Sequence, residues 1–379
     1  MAVVFVSKES APGETRVAAT PETTKQMIKA GLSVEVEASA GAASGFVDED
    51  YKEAGASIVS ADKRSAADMV LSIRPPSDDQ IGQMKQGAVL ICSLQPMLAL
   101  PTVQKLAEAK ISSFAMDLMP RITRAQKMDI LSSQATVAGY QAVLMAAAAL
   151  PKMFPLLMTA AGTLTPAKVV ILGAGVAGLQ AIATARRLGA QVEANDIRPA
   201  VAEQVESLGA KFIDTGTPPQ AETTGGYAKE TSEEYARKQR EILTKHISEA
   251  DVVITTALIP GRKAPVLVSK DMIAAMSAGS VVVDLAAEMG GNVEGTVAGE
   301  VVDVGGVKII GETNLPALCA SDASRMFAKN IHGFLELLLE EGKIDPKWDD
   351  ECVTGTAITH DGEVRHAGAS EALSSKGAS

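Results

Sequence analysis

Short runs of β-branched and aliphatic residues alternate with longer helical patterns along this chain. In the first third, the predicted strands are Val3–Val6, Ser33–Glu37, Met69–Ile73, Ala88–Ser93 and Ile111–Met116. Helical patterns at Pro21–Ala30 and Leu100–Ala109 lie between them. This alternation is typical of parallel α/β structure, because two parallel strands need a crossover that a helix usually supplies.

A second series of the same kind begins at Lys168. Its predicted strands are Val169–Leu172, Gln191–Asn195, Lys211–Ile213, Asp251–Thr256, Ser280–Leu285 and Val307–Ile310. Two such series predict an α/β fold of two doubly wound, Rossmann-like parallel-sheet domains with a cofactor cleft between them. We expect residues 1–133 and about 322–379 to form the N-terminal domain, completed by a C-terminal helix, and residues 134–321 to form the nucleotide-binding domain.

Between the two series lies Val137–Leu164, a stretch whose only charged residue is Lys152. It is long enough for a transmembrane helix. However, Pro151 and Pro155 interrupt it, so we expect instead a buried helix that links the domains. The N-terminus lacks the basic region and the long apolar run of a signal peptide, and we expect a cytoplasmic chain. The last fifteen residues or so are small and polar and predict a frayed tail.

Composition narrows the function. The 379 residues include 35 Lys plus Arg against 46 Asp plus Glu, which gives a net charge of −11. That balance argues against nucleic acid or an anionic membrane surface as the main partner, because both attract positive charge. The three cysteines are scattered and the four histidines have no metal-binding spacing. We therefore expect neither a disulfide framework nor a catalytic metal.

The segment LGAGVAG, Leu172–Gly178, carries most of the chemistry. Its glycines Gly173, Gly175 and Gly178 have the G-x-G-x-x-G spacing, between a buried strand and an Ala-rich helix. The first glycine would allow a tight turn, the second the close approach of a pyrophosphate, and the third close helix–strand packing. The free N–H groups at the helix start would then bind the phosphates. The alternative is a tight strand–helix turn without a ligand.

The strand after this helix ends in Asp196. A carboxylate at that place accepts hydrogen bonds from an adenosine ribose and repels a 2′-phosphate, so we expect NAD(H) rather than NADP(H). The nearby Arg198 tempers this expectation, because an arginine can accommodate the extra phosphate. Thr255–Leu258 ends another strand where the floor of such a site would lie, although small residues at a strand end are also ordinary packing.

A polar cluster, Met119–Gln134, lies just before the linking helix. If it is helical from about Ala125, then Gln126, Asp129 and Ser133 share one face, because residues three and four apart are neighbours on a helix. Polar groups that face a cleft are candidates to hold a nicotinamide amide and ribose. The alternative is a surface helix with solvated polar residues.

A charged segment lies in the second half of the chain. Pro218–Gly226 predicts a flexible loop, and Glu230–Glu241 predicts a solvated helix with opposite charges at close spacing. Tyr227, between a glycine pair and this helix, is a candidate for the tip of a mobile lid. An incidental exposed tyrosine is equally consistent with the composition.

Several segments carry a family resemblance. They are PGETRVAATPE, AMDLMPRITRAQKMDILSSQ, TAAGT, GAGVAGLQAIATARRLGA, VESLGAKF, TTGGYAKE, TTALIPGR and VVVDLAAEMGGN. Together they resemble the NAD(H)-binding component of proton-translocating NAD(P) transhydrogenase, within the wider alanine dehydrogenase/transhydrogenase superfamily. The resemblance runs from about residue 10 to residue 330, and the run at 119–134 and the GGYAKE loop are specific to that family.

The resemblance implies a mechanism. Hydride would pass directly between NADH on this chain and NADP⁺ on a partner subunit, coupled to proton translocation by membrane partners. Gln126 would orient the nicotinamide ring or contact the partner, Asp129 with Ser132 would fix the carboxamide, and Arg121 would lie nearby. The residues expected to bind the dinucleotide are Gly173, Gly175, Val176, Ala177, Gly178, Asp196, Ile197, Arg198, Gly226, Tyr227, Thr256, Ala257 and Leu258.

The resemblance also implies partners. Family members of this type form homodimers, and the NADP(H)-binding and transmembrane components would be separate subunits that hold this chain at the inner membrane. We expect one polypeptide of such a split enzyme; a truncated piece of a longer chain is the alternative.

Alanine dehydrogenases, the wider relatives, suggest an NAD-dependent amino or keto acid oxidoreductase instead. Those enzymes use a lysine and a histidine, where this chain has Arg74 and Gln95, and no histidine precedes His246. Because such a reaction must exchange a proton as the hydride moves, the missing group argues against it. Arg16, which binds a carboxylate in the relatives, remains. A non-catalytic NAD-sensing module is a further alternative. The polar cluster argues against it, because a sensor needs no arrangement that presents a nicotinamide to a second cofactor.

Overall fold

A computed structural model describes residues 1–216, 233–258 and 263–376. The chain divides into two compact units. The first comprises Met1–Gln134 together with Ala317–Ser379, and the second comprises Ala135–Pro316.

The strands of the described chain, numbered β1 to β19, are Val3–Val6, Ser33–Glu37, Ser57–Val59, Met69–Leu71, Val89–Cys92, Ser112–Ala115, Leu157–Thr159, Gly162–Leu164, Lys168–Leu172, Gln191–Asn195, Lys211–Phe212, Val252–Thr255, Val281–Asp284, Val301–Val304, Val307–Ile310, Leu339–Glu340, Lys343–Ile344, Ala357–His360 and Glu363–Val364. The α-helices, numbered α1 to α12, are Pro21–Lys29, Asp48–Glu53, Asp78–Gln83, Leu100–Glu108, Ile130–Ala149, Val176–Arg187, Ala202–Ser207, Glu233–Ser248, Lys270–Ala274, Ala320–Leu335, Glu351–Thr356 and Ala367–Lys376. A 3₁₀ helix, Thr123–Met128, precedes α5.

The main sheet of the first unit has the strand order β19-β18-β6-β5-β4-β1-β2-β3. Strands β1 to β6 are parallel to one another. Beyond β6 the sheet continues with β18, which is antiparallel to β6, and then with β19, which is antiparallel to β18. The C-terminal segment thus contributes to the same sheet as the N-terminal one.

Alternate residues of β1 enter different hydrophobic layers, because successive side chains of a strand point to opposite faces. Val4 and Val6 pack in one layer with Met27 of α1 and Phe327 of α10, whereas Phe5 lies in the layer that includes α4. Helix α10 therefore belongs to the core of the first unit, although the whole second unit separates it from β1 in the sequence.

The main sheet of the second unit has the order β11-β10-β9-β12-β13-β15-β14, parallel except for β14. Val169 and Ile171 of β9 pack with Ile182 of α6, and Val170 packs with Ile247 of α8 on the opposite face. The predicted α/β fold with two doubly wound, Rossmann-like parallel sheets is confirmed. In such a sheet ligands bind beyond the carboxyl ends of the strands, where the order reverses on either side of the first strand.

The helix expected in the uncharged stretch 137–164 is present only up to residue 149, as part of α5, and its residues there are a mixture of buried and partly exposed positions. Helix α5 ends at Ala149, shortly before Pro151, because proline lacks an N–H and its ring clashes with the preceding helical turn. The remainder contains the short hairpin β7–β8, in which Gly162 has φ of 130° and Met158 is 79% exposed. Among the described helices, none is long and apolar enough to cross a lipid bilayer.

The prediction of a frayed C-terminal tail is wrong. Helix α12 occupies most of the last fifteen residues, and its Ala369 is fully buried in the layer that includes α4, because small side chains allow a helix to approach closely. Strands β3, β14, β18 and β19 were outside the predicted set. Each has at most four residues, too few for an alternating pattern to distinguish it from a loop.

Candidate functional site

The glycine-rich turn lies at the carboxyl end of β9, inside the sheet of the second unit. β9 ends at Leu172, the chain turns at Gly173, and α6 begins at Val176. The neighbouring strands β10 and β12 end just before Asp196 and Thr256, at the same edge of the sheet. The fold thus brings these predicted site residues to one place.

The fold itself requires two of the three motif glycines. Gly173 has φ of 101°, and a Cβ there would lie 2.5 Å from Thr256 Oγ1, the hydroxyl that donates to the Gly173 carbonyl at 3.0 Å. A Cβ on Gly178 would lie 1.9 Å from the same carbonyl oxygen. A side chain at Gly173 would push the turn away from Thr256, and a side chain at Gly178 would push α6 away from the turn.

Gly175 is different, because nothing in the described chain explains why it is a glycine. Its φ of −76° suits any residue, and no heavy atom of the described residues, apart from its two chain neighbours, lies within 4 Å of where its Cβ would stand. It is the N-cap of α6 and has no side chain to accept from the first-turn N–H groups of Val176 and Ala177. Those groups, at the positive end of the helix, form a surface that a phosphate can approach closely.

Asp196 is held by its own neighbours. One carboxylate oxygen accepts from the backbone N–H and Nε of Arg198, both at 2.9 Å; the other accepts from Ala174 N–H at 2.8 Å and from Arg198 Nη2 at 2.9 Å. Burial raises the pKa of Asp196, but these hydrogen bonds outweigh it and keep the pKa below its ordinary value. Ile197, between the pair, is half-buried. The Arg198 guanidinium is thus occupied by Asp196.

The predicted floor of the site follows β12. Thr256 and Ala257 are half-buried, and Leu258 is 42% exposed. The backbone of Ala257 is hydrogen-bonded to the side chain of Asn292, a buried residue of the VVVDLAAEMGGN segment to which sequence reasoning gave no role. An asparagine directly after two glycines was the available signal, since that pattern marks a tight turn.

Gly139 is another residue that sequence reasoning missed. It lies within α5, and a Cβ there would be 2.1 Å from the carbonyl oxygen of Ala177, in the first turn of α6. The helix that bears Gly139 therefore packs directly against the backbone that follows Gly175. A glycine inside an Ala-rich helix is the signal that could have found it, because such a glycine usually has a packing reason.

The predicted polar cluster belongs to the first unit, but it is not one continuous helix. The 3₁₀ helix Thr123–Met128 ends at Asp129, whose ψ of 98° is extended, and α5 begins at Ile130. Asp129 caps α5: its carboxylate accepts from Ser132 N–H at 3.0 Å and from Ser132 Oγ at 2.6 Å. The expectation of a shared helical face for Gln126, Asp129 and Ser133 is therefore wrong, because the chain bends at Asp129.

The cluster nevertheless presents polar groups. Gln126 and Arg121 are exposed, and Asp129 and Ser132 are half-buried. Ser133 instead donates from its hydroxyl to Asn330 Oδ1 at 2.7 Å.

Two contacts from the C-terminal segment fix this cluster. Asn330 of α10 donates to the Lys127 carbonyl at 2.8 Å while it accepts from Ser133, so it bridges the bend at Asp129. Arg124 donates to both carboxylate oxygens of Asp350 at 2.6 and 3.0 Å. The return of the chain to the first unit thus shapes a segment that lies far away in sequence.

Arg16, the expected carboxylate ligand of the dehydrogenase relatives, has internal partners. Its Nε and Nη2 donate to Glu14 at 2.7 and 2.6 Å, and its Nη1 donates to Gln134 at 2.7 Å. Arg74 Nε also donates to the fully buried Glu14 carboxylate at 3.1 Å. Gln95 has φ of 47°, in the left-handed region. Glu14 and Gln134 thus engage the Arg16 guanidinium that a substrate carboxylate would need.

Glu9 lies beside this group. Its carboxylate accepts from the N–H groups of Ile73 and Arg74 at 2.6 and 3.3 Å. Burial raises the pKa of Glu9 to about 7, and the negative charge of Glu14 adds to the effect.

The lid candidates Gly226 and Tyr227 lie outside the described residues.

The glycine turn, the parallel sheets and the two-unit division define a protein of the Rossmann-like class. The family model for the C-terminal domain of alanine dehydrogenase/PNT matches residues 142–367, and the model for its N-terminal domain matches residues 5–138. The chain belongs to the alanine dehydrogenase/PNT family. The predicted family resemblance is thereby confirmed.

Individual relatives agree with this family assignment. An NAD(P) transhydrogenase subunit alpha polypeptide of Rhodospirillum rubrum is 48% identical over 374 residues, which cover 96% of this chain and 97% of that protein. The crystal structure of transhydrogenase from Sinorhizobium meliloti is 47% identical, with a TM-score of 0.86 over 97% of this chain and 99% of that one. A structure of L-alanine dehydrogenase is 25% identical, with a TM-score of 0.82 over 98% and 99% of the two chains.

Proposed function

We propose that this chain is the NAD(H)-binding subunit of a proton-translocating NAD(P) transhydrogenase. The observation that carries the proposal is Gly175, a glycine at the start of α6 that neither its φ nor any described neighbour requires. The close approach of a pyrophosphate accounts for it. The relatives from Rhodospirillum rubrum and Sinorhizobium meliloti, named as transhydrogenases, support the assignment.

The arrangement at Asp196 supports NAD(H) as the nucleotide. A ribose hydroxyl would donate to this carboxylate in place of one of the Arg198 hydrogen bonds. A 2′-phosphate would meet a negative charge, and the Arg198 guanidinium that could attract it is paired with Asp196. Val176, Ala177 and Gly178 would supply N–H groups to the pyrophosphate.

At the nicotinamide end we propose roles for the polar cluster. Gln126 would orient the ring or contact the partner, Asp129 and Ser132 would fix the carboxamide, and Arg121 would lie nearby. The bound dinucleotide would supply the hydride itself, which would pass from NADH to NADP⁺ on the partner and so give NAD⁺ and NADPH. Such a transfer moves no proton to or from the chain, so its residues need only hold and orient the nicotinamide. Gly226 and Tyr227, which precede α8 in the sequence, are proposed to contact the nucleotide.

We further propose a homodimer that associates with NADP(H)-binding and transmembrane subunits at the cytoplasmic face of the inner membrane. The hairpin β7–β8 supports a self-contact, because an isolated two-stranded hairpin is marginally stable in water. Its apolar side chains Met158 and Leu164 are 79% and 50% exposed. Cross-linking or sedimentation of wild type against Met158→Glu would test this surface, and an unchanged dimer in the variant would contradict it.

The second candidate is an alanine dehydrogenase-like oxidoreductase, which the similarity to L-alanine dehydrogenase favours. The bonds of Arg16 to Glu14 and Gln134 weigh against it, because a substrate carboxylate would have to displace them. Robust turnover of NAD⁺ and alanine by the purified chain alone would favour this alternative.

The decisive experiment measures hydride transfer from NADH to an NADP⁺ analogue, with and without an NADP(H)-binding partner domain. We expect strict dependence on the partner. Single-turnover transfer by Gln126→Ala and Asp129→Asn then tests the nicotinamide roles. Asparagine is the matched replacement at 129, because it also caps helices and leaves the start of α5 intact. Transfer at the wild-type rate by both variants would contradict those roles.

A further inference from the structure

Asn292 lies directly behind the segment that follows β12, and its side chain is fully buried. Its Oδ1 accepts from the N–H of Ala257 at 3.0 Å, and its Nδ2 donates to the carbonyl oxygens of Ala257 at 2.9 Å and of Pro265 at 2.7 Å. Both hydrogens of the side-chain amide are used. One side chain therefore holds Ala257 by both of its backbone polar groups.

Asp284 fixes the place from which Asn292 reaches Ala257. This fully buried carboxylate at the end of β13 accepts from the N–H groups of Asn292 and Val293 at 2.9 and 3.1 Å. It also accepts from the hydroxyls of Thr255 and Thr296 at 2.9 and 2.8 Å. The carboxylate thus links the end of β12 to the turn that carries Asn292.

Gly291 makes this turn possible. Its φ of 79° lies in the left-handed region, and a Cβ would stand 2.8 Å from Asp284 Oδ2. A side chain here would separate the carboxylate from the backbone N–H groups that it binds. The turn is therefore built around Asp284.

The same segment is tied on its other side. The Thr256 hydroxyl donates to the Gly173 carbonyl at 3.0 Å, so the Thr256 donor and the Ala257 N–H both point to protein acceptors. What the segment exposes is chiefly the Leu258 side chain, 42% exposed.

We propose that Asn292 is a positioning residue of the nucleotide site. It holds Ala257 so that its N–H, like the Thr256 hydroxyl, stays bonded to the protein and the segment 256–258 presents chiefly the Leu258 side chain to the dinucleotide. This inference rests on the proposed function, because it takes NAD(H) to lie against this segment.

The test compares two substitutions in the same buried network. Asn292→Leu keeps the approximate shape of the side chain but removes every hydrogen bond to Ala257. Thr296→Val removes one hydrogen bond to Asp284 and leaves the bonds to Ala257 intact, so it controls for a general loss of stability. NADH affinity is measured by calorimetric titration of the full chain, at a temperature where thermal unfolding curves show each variant folded.

We expect Asn292→Leu to weaken NADH binding by about tenfold or more, since it leaves buried backbone groups without partners and frees Ala257 to move. Thr296→Val should weaken binding less than about twofold. Equal effects of the two variants, with wild type binding NADH, would overturn the positioning role and leave the proposed function standing. A wild-type chain that fails to bind NADH would overturn both.

A second measurement decides the matter if Asn292→Leu does not fold. Hydrogen exchange of the Ala257 amide is followed in wild type labelled with ¹⁵N-alanine, with and without NADH. The proposal requires protection in both states, because Asn292 keeps this hydrogen bond when the nucleotide binds. An unprotected amide in either state would overturn it.

Discussion

Replacing Gly175 with alanine should separate nucleotide binding from folding. The φ of −76° is compatible with alanine, and apart from the two chain neighbours no described heavy atom would lie within 4 Å of the Cβ. A Gly→Ala change at a compatible position stabilises by about 0.4–1 kcal/mol through the unfolded state. Gly175 is also the N-cap of α6, where alanine is poorer than glycine by roughly 0.5–1 kcal/mol. The two effects nearly cancel, so we expect the free energy of unfolding to change by less than about 1 kcal/mol.

NADH affinity should fall steeply in the same variant. The added methyl group would stand between the pyrophosphate and the N–H groups of Val176 and Ala177. Hydrogen bonds to charged groups contribute about 1.5–3 kcal/mol each, so losing one raises the Kd by roughly 10- to 100-fold. Titration calorimetry with NADH gives the affinity, and chemical denaturation gives the stability.

Two further glycines provide controls for the Gly175 variant. Gly82 in α3 also has no described heavy atom within 4 Å of its Cβ position, apart from its chain neighbours and the backbone of its own helix, so Gly82→Ala should leave NADH binding unchanged. Gly178→Ala should reduce stability by about 1–3 kcal/mol or more, because its Cβ would lie 1.9 Å from the Gly173 carbonyl oxygen. An unchanged NADH affinity in Gly175→Ala, or a stability loss as large as that of Gly178→Ala, would refute the reasoning.

Three other predictions concern separate regions of the chain. Asp196→Asn should raise the Kd of NADH about tenfold and reduce the discrimination against NADPH, because Arg198 is then released; unchanged discrimination in parallel titrations would contradict this. Glu9 has a pKa of about 7 in the folded chain against 4.5 ordinarily. Between these two pH values the folded state therefore binds more protons than the unfolded state. The contribution of Glu9 to the free energy of unfolding falls as pH rises from about 4.5 to 7, by up to about 3 kcal/mol. Glu9→Gln should flatten that dependence in urea unfolding at pH 5 and 8, and identical pH profiles of the two chains would count against it. Gly139→Ala should lower the unfolding temperature and weaken NADH binding, since its Cβ would meet the Ala177 carbonyl; a wild-type melting curve would exclude this close packing.

Periodicity predicted the strands of both sheets well where they are buried on both faces. The runs at Val3–Val6 and Val169–Leu172 are continuous and apolar because each lies between two hydrophobic layers. The edge strands β3 and β19 and the neighbouring β18 carry no comparable signal, because each has only two to four residues. In the stretch at 137–164 the predicted helix is present up to residue 149, but the hairpin β7–β8 was not predicted, since low charge alone does not distinguish a helix from a hairpin with exposed apolar residues.

The candidate site divides in the same way. The glycine spacing and Asp196 could be found from the sequence, because a βα turn places its functional residues close together along the chain. The capping role of Asp129 was also available in principle, since an aspartate before an apolar helix is a start signal. The turn at Asn292 had a local signal, but the contacts of Asn292 and Asn330 could not be predicted from the sequence, because their partners Ala257 and Lys127 lie 35 and 203 residues away.

The sequence by itself therefore determined the α/β class, the turn at the end of β9 and the family resemblance, all of which depend on local pattern. The motif spacing assigned different roles to its three glycines, but only the tertiary structure showed that protein atoms crowd Gly173 and Gly178 and leave Gly175 open, because that depends on which atoms would surround an added Cβ. Only the tertiary structure showed that Asp196 engages Arg198 and that Asn292 holds Ala257. Hydrogen bonds of this kind depend on where side chains meet in space, and spacing along the chain does not encode that for distant segments.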